Sequence, residues 1–510
     1  MDALLIAGLS AAVLLVHDVS YLLHQPFWMD EAWVADSLRA PMHLTPRLSS
    51  STPLGWSLLL RLVPAGGGQG YRLVPLAFTM MATATAYLLG RELRIGGRAG
   101  AVLVGVSVLL CPGLLVRDDL KQYTAEAWAA LTVLLLVARL ENQWSGRRLA
   151  QLMVFAVAGL LVADTVVFVG LAAIAALLLD SLRRRDRRRA FQVGGGAVGV
   201  LAAWAGFYAI VIRPNVTAKL ESFWDVAYVP RHGGVHALMA FMSTATHNVV
   251  PYIGFRWWPV DAVLVLGGLA VLARRGRFLV AAVLPFTLAL QLAASGARRY
   301  PFGDLRTSTF WVAMASVAAA GGVAAAVEAV ARRRRRLSVA TLAVSIGLWT
   351  LAADPHIRSH PIPDEDARAQ TAFVDQHFRP GDVVIVSETA SFGFAYYDRR
   401  LHPTFARFAG IENGFLPSWP DQPWIVRMTG HRPADVSRAL GQAAARLAAE
   451  GPRHTGRIWI VRSHLFPDEA PEWRAALAGE RVITYAVGRE PLLLYEPPAT
   501  SGSSGPAHVA

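Results

Sequence analysis

The feature that most constrains this chain is the alternation of long apolar runs with short clusters of arginine. The clusters are Arg91, Arg94 and Arg98; Arg139, Arg147 and Arg148; residues 183–185 with 187–189; Arg274, Arg275 and Arg277; and residues 332–336. Roughly 20 apolar residues cross a bilayer as a helix, and the cytoplasmic loops of membrane proteins hold an excess of Lys and Arg. The pattern predicts a polytopic α-helical membrane protein. Composition agrees: 54% of the residues are apolar and 17% charged, against about a quarter charged in a soluble domain. One large water-soluble core is excluded, and so is disorder. The formal net charge of +13 would suit nucleic acid if it covered one face. It sits instead between apolar runs, so no nucleic-acid partner is expected. Cys111 is the single cysteine, which excludes an intrachain disulfide.

The predicted spans are 3–23, 71–90, 99–116, 124–140, 149–163, 165–181, 191–212, 259–273, 278–295, 308–331 and 337–353. Placing every arginine cluster inside closes the parity, provided that 149–181 is two short helices with a tight turn at Ala163-Asp164-Thr165. Eleven spans and a cytoplasmic N-terminus put everything after residue 353 outside the cell membrane. The chain then divides into a transmembrane domain (1–353), an extracytoplasmic α/β domain (354–498) and a flexible tail (499–510). The α/β reading rests on apolar β-rich runs at 383–387, 458–461, 482–487 and 492–495, and on an Ala-rich amphipathic helix at 435–450 behind Pro433.

Four segments face outward in this topology: 24–70, 117–123, 213–258 and 298–306. Acidic residues gather at these membrane edges rather than in mid-span, where a secondary transporter or lipid flippase would hold its ionisable groups on broken helices. A transporter with an outer binding domain is therefore the weaker alternative to an enzyme acting on a lipid head group. In the first segment Asp30 and Glu31 open a short helix whose Trp33, Val34 and Leu38 recur at helical spacing before Pro41, as in a helix lying in the interface. Helix capping alone would also explain two carboxylates in a first turn. In the second segment Asp118 and Asp119 stand beside Lys121, one of only two lysines among 49 basic residues, the other being Lys219. A compact ammonium kept in a chain that otherwise uses arginine suits a phosphate as a point charge. No His, Cys and carboxylate cluster has metal-ligand spacing, so no obligatory cofactor is expected. Carboxylates converging on one site would still suit a divalent cation.

The stretch Met29-Asp30-Glu31-Ala32 through Ser51-Thr52-Pro53-Leu54-Gly55 resembles the first outer loop of glycosyltransferase family 39, which includes protein O-mannosyltransferases and the aminoarabinose transferases of lipid A. That family reads Pro-Pro-Leu where this chain has Thr52-Pro53-Leu54. Residues 72–91 are similar to its second helix, Asp119-Leu120-Lys121-Gln122-Tyr123-Thr124-Ala125-Glu126 to its acidic-Leu-Lys-Gln-Tyr link, and Tyr300-Pro301-Phe302-Gly303-Asp304-Leu305-Arg306 to an outer motif of bacterial members. The resemblance covers roughly residues 20–310 and is densest over 20–140.

It implies a GT-C fold and an inverting enzyme that moves a sugar from a polyprenyl-phosphate carrier to a hydroxyl of a glycan, lipid or protein acceptor. By match to the family's positions, Asp30 is the expected base, Glu31 orients acceptor or sugar, and Asp119 is a second acid, with Asp118 as its substitute. Lys121, Arg306 and Arg299 are the expected phosphate partners, and Tyr123 and Tyr300 complete the substrate site. Chemistry asks for little more. A polyprenyl phosphate leaves without a strong general acid, so the reaction needs a carboxylate to take a proton and cations where negative charge builds.

Overall fold

In the computed structural model a helix stands at each of the eleven stretches predicted to cross the membrane. The structure describes residues 1–48, 52–63, 68–117, 119–333, 335–363, 365–398, 400–408, 410–411, 414–449 and 456–497; the predicted tail, 499–510, lies outside them. Among the described residues six helices are long and apolar enough to span a bilayer unaided: Gln69–Leu93, Tyr123–Asn142, Val166–Arg183, Arg187–Asn215, Phe278–Gly296 and Thr309–Arg333. The first predicted span is broken. Asp2–Val16 ends where His17 turns extended (φ −99°, ψ 143°), and Val19–His24 follows. The predicted turn near Asp164 also appears, between Gly146–Ala158 and Val166–Arg183. The chain is a multi-pass membrane protein.

By compactness it forms two units. The first comprises Met1–Leu23 and Ser49–Pro361, the second His24–Leu48 and Ile362–Ala510. In the first, Thr309–Arg333 is the central helix, packed against Gly97–Leu109, Tyr123–Asn142 and Trp258–Arg274. Glycine sets one of these crossings. A Cβ on Gly268 would run into the carbonyl oxygen of Ala318, and one on Gly322 would lie 2.9 Å from the Gly268 Cα, so the two backbones meet because neither residue has a side chain.

The arginine clusters converge on one end of this bundle, held there by carboxylates. Arg139 pairs with Glu92 at 3.4 Å, and Arg275 with Glu328 at 3.1 Å, which also pairs with Arg332 and accepts from the Gly96 N–H at 3.2 Å. Arg277 donates through Nε to the Leu93 carbonyl at 3.1 Å. Basic loops far apart in sequence thus share one side, as the sidedness argument requires.

The second unit is built on a five-stranded sheet in the order β4-β1-β5-β7-β6, with β1 Val383–Val386, β4 Ile425–Arg427, β5 Ile458–Val461, β6 Val482–Tyr485 and β7 Leu492–Tyr495. A separate antiparallel ribbon joins β2 Thr404–Arg407 to β3 Phe415–Ser418. Strand β1 runs parallel to both neighbours, and β7 antiparallel to β5 and β6. The sequences of β1 and β5, Val-Val-Ile-Val and Ile-Trp-Ile-Val, are buried throughout, as befits central strands covered on both faces. Alternation separates the two cores. Val384, Val386, Trp459 and Val461 face one layer, while Val383, Ile385, Ile458 and Ile460 pack with Val436, Ala439 and Ala443 of helix Pro433–Ala449. The four predicted strands and this helix are present. Strand β4, the ribbon, and helices Ala367–His377 and Ala390–Tyr397 were not anticipated.

Candidate functional site

In the first unit the link 117–123 is short because both of its ends are helical. Pro112–Leu115 closes one side and Tyr123–Asn142 opens the other. Its backbone is pinned by Trp56, a fully buried indole whose Nε1 donates to the Leu120 carbonyl at 2.8 Å. Asp119, Lys121 and Tyr123 are all buried in this turn, with the first two 6% and 5% exposed. Arg117 stands 3.8 Å from the Asp119 carboxylate and lies over the Tyr123 ring at 5.6 Å. Burying an ammonium and a carboxylate one residue apart costs solvation energy, which partners must offset. Sites that handle charged ligands concentrate such groups. Asp118 lies outside the described residues.

The link 298–306 is anchored from below and from the side. Gln291 donates through Nε2 to the carbonyls of Pro301 and Thr307, at 2.9 and 3.0 Å. The N–H groups of Phe302 and Gly303 both donate to the Ala227 carbonyl, at 2.8 and 3.2 Å. Asp304 folds the turn by accepting from the Arg306 N–H at 2.7 Å. Arg306 is half-buried. Arg299 is 70% exposed and 4.0 Å from Glu221, and Arg298 pairs with Asp225. The Tyr300 ring meets Phe168 at 4.9 Å. Burial holds its phenol well above the usual tyrosine range, and the charges of Glu126, Asp164, Tyr123 and Asp304 push the same way.

The structure therefore brings Tyr123 and Tyr300 into one polar neighbourhood and adds two carboxylates to which sequence reading gave no site role, Glu126 and Asp164. Glu126 is 1% exposed and accepts from Gln122 Nε2 at 3.3 Å; Asp164 sits at the turn before Val166–Arg183. The available signal was helical spacing, since Glu126 follows Tyr123 by three residues and shares its face. Nothing in the spacing of Asp164 links it to either.

Asp30 and Glu31 belong to the second unit, on helix Met29–Ser37. The expected interfacial helix with one apolar stripe is not what forms. Seven of its nine residues are buried, because it packs against Ala390–Tyr397 within the α/β unit. Arg39 fastens its end by donating to the carbonyls of Ala395 and Tyr396, at 2.8 and 3.0 Å, and the Phe27 N–H donates to the Tyr397 hydroxyl at 2.7 Å. Glu31 is fully buried and Asp30 half-buried. Asp36 is fully buried, neither carboxylate oxygen has a hydrogen-bond partner among the described residues, and burial pushes its carboxyl up to about 8.

Beside Asp30, Glu365 bridges two elements. One carboxylate oxygen accepts from the Met29 N–H at 3.0 Å, the other from His464 Nδ1 at 2.7 Å. The bond to Glu365 raises the His464 ring above its ordinary value, and the charge of Asp30 adds to the effect. Among the described residues no group of three or more His, Cys, Asp or Glu side chains is placed to hold a metal ion.

No family model matches this sequence, and no curated protein matches it. Solved structures do. ArnT from Cupriavidus metallidurans in the apo state superposes with a TM-score of 0.58 at 14% identity, over 97% of this chain and 98% of that one. The same protein bound to undecaprenyl phosphate gives 0.56 at 12% identity, covering 98% of each chain. Over nearly its whole length, this chain has the fold of ArnT.

Proposed function

We propose that this protein is an inverting glycosyltransferase that moves a sugar from a polyprenyl-phosphate carrier to an acceptor hydroxyl at the outer face of the cytoplasmic membrane. The observation that carries the reading is the likeness to ArnT along the full chain, including a structure of ArnT bound to undecaprenyl phosphate. The buried Asp119-Leu120-Lys121 turn supports it, since it keeps a lysine where a phosphate partner was expected. In this reading the N-terminus is cytoplasmic and the α/β unit extracytoplasmic.

Asp30 accepts the proton of the acceptor hydroxyl as its oxygen attacks the anomeric carbon. Glu31 and Asp119 orient acceptor and sugar. The bond from that carbon to the phosphate oxygen breaks on the opposite face, and the electron pair leaves with the polyprenyl phosphate, so configuration inverts. Lys121, Arg306 and Arg299 stabilise the charge that builds on the phosphate, and Tyr123 and Tyr300 line the substrate. No step requires a metal.

The test is turnover by the purified chain in lipid vesicles. The substrate is the polyprenyl-phosphate-sugar fraction extracted from the cells that make the protein, with their envelope fragments as acceptor. Mass spectrometry should show release of free polyprenyl phosphate by wild type and roughly 100-fold less, or lower still, by Asp30→Asn. No release by wild type would overturn the reading.

A further inference from the structure

We infer that His464, held by Glu365, is a positioning residue for Asp30: the α/β unit supplies the group that fixes the start of its helix. The inference rests on the proposed role of Asp30 and deepens it. Three contacts lie within the second unit. Glu365 is buried, its side chain 4% exposed, and its two oxygens reach different elements, the first N–H of helix Met29–Ser37 at 3.0 Å and His464 Nδ1 at 2.7 Å. The Trp28 ring, immediately before that helix, meets the imidazole at 5.8 Å. His464 itself follows β5 with φ at +54°, a left-handed conformation that non-glycine residues seldom adopt. Strain of this kind persists where surrounding contacts over-determine it, and here they aim one imidazole at the start of the Asp30 helix.

The chemistry follows from charge. A carboxylate that must take a proton has to be held in place, and Glu365 ties the first N–H of its helix to the imidazole. The charges that raise the His464 ring are those of Glu365 from the segment before helix Ala367–His377, Asp30 from helix Met29–Ser37, and Glu490 from the turn before β7, the last flanked by Arg489. All three are acidic. The cation is thus stabilised from three elements, at the start of the Asp30 helix. A histidine that only filled space would need none of them.

The experiment compares wild type, His464→Asn, Glu365→Gln, Glu365→Asp and Asp30→Asn in the turnover assay above, from pH 5 to pH 9. Asparagine tolerates a left-handed backbone and keeps a donor toward Glu365, so the chain should accumulate normally. His464→Asn should lower turnover about 10- to 100-fold, the scale of a misplaced reacting group. Its alkaline limb, set in wild type by loss of the His464 proton, should vanish. Glu365→Gln should bring the alkaline limb to lower pH, and Glu365→Asp should restore part of the rate. A wild-type rate and pH profile in both His464→Asn and Glu365→Gln, with Asp30→Asn inactive, overturns this inference and leaves the base assignment standing. An active Asp30→Asn overturns the base assignment itself. If His464→Asn fails to accumulate, the pH profile of Glu365→Gln decides alone.

Discussion

Replacing Lys121 separates carrier binding from sugar chemistry. The ammonium is 5% exposed, so a phosphate beside it would meet a charge that water screens poorly. At about 4 Å and an effective dielectric near 20, two unit charges attract by about 4 kcal/mol. Truncating one member of such a desolvated pair costs about 2–5 kcal/mol. At about 1.4 kcal/mol per decade, Lys121→Met, which keeps the aliphatic volume, should weaken undecaprenyl phosphate binding by roughly 30- to 4000-fold. Asp119→Asn should act in the opposite direction. Arg117, 3.8 Å from this carboxylate, would no longer be neutralised, and the repulsion between Asp119 and the phosphate would disappear. Binding should therefore hold or tighten while sugar transfer falls. Lys121→Arg should recover only part of the affinity, since a planar fork does not replace a point charge in a turn closed by Trp56. The measurement is titration of undecaprenyl phosphate into the purified variants in detergent. Equal affinity in wild type and all three variants would remove this turn as the phosphate site and leave Arg306, with Arg299, as the remaining candidates.

Further outcomes follow from other parts of the molecule. Asp30→Asn should lower transfer by roughly 100-fold or more with little change in protein level; a loss of only about 1 kcal/mol in stability with normal turnover would make it a helix-terminal carboxylate and nothing else. A membrane-impermeant thiol reagent should label a cysteine placed at His360 in intact cells, and should not label one at Asp186; the reverse pattern would invert the topology. Asp382→Ala should destabilise the chain by about 3 kcal/mol, read as a lower Tm. It removes the shared acceptor of Arg457 (2.7 Å) and the Trp459 indole (3.0 Å). Burial alone would raise the Asp382 carboxyl, but these donors hold it below the usual range. Its stabilisation should therefore be present above the unfolded value of about 3.9 and be lost as pH falls through the lower folded one. Asp36 has the opposite sign. With its carboxyl pushed up to about 8, the folded chain should lose stability as pH rises from about 4 toward 8. Asp36→Asn should flatten that slope, and an unchanged Tm-versus-pH curve would refute the assignment.

The membrane class and the helical spans were legible in the sequence because both depend on local chemistry. An apolar run is long enough to cross a bilayer or it is not, and arginine loops are costly to translocate. The strands at 383–386, 458–461, 482–485 and 492–495 were legible for a related reason, since β-branched and aromatic runs bounded by polar residues suit a pleated sheet and little else. The segment around Lys121 stands out for a similar reason, because its residues are contiguous and the rarity of lysine marks them. Helix Met29–Ser37 was different. Its own pattern predicted one apolar stripe in the membrane interface, and only the tertiary structure gave it a partner on nearly every side, in Ala390–Tyr397 more than 350 positions away. The same holds for Glu365 and His464, whose contacts with Met29 and Trp28 span more than 330 residues, and for Glu126 and Asp164 near Tyr300. Spacing along a chain reports on faces of one element. Which faces meet is decided by the packing of whole elements, where a single buried carboxylate must find a donor wherever the fold provides one.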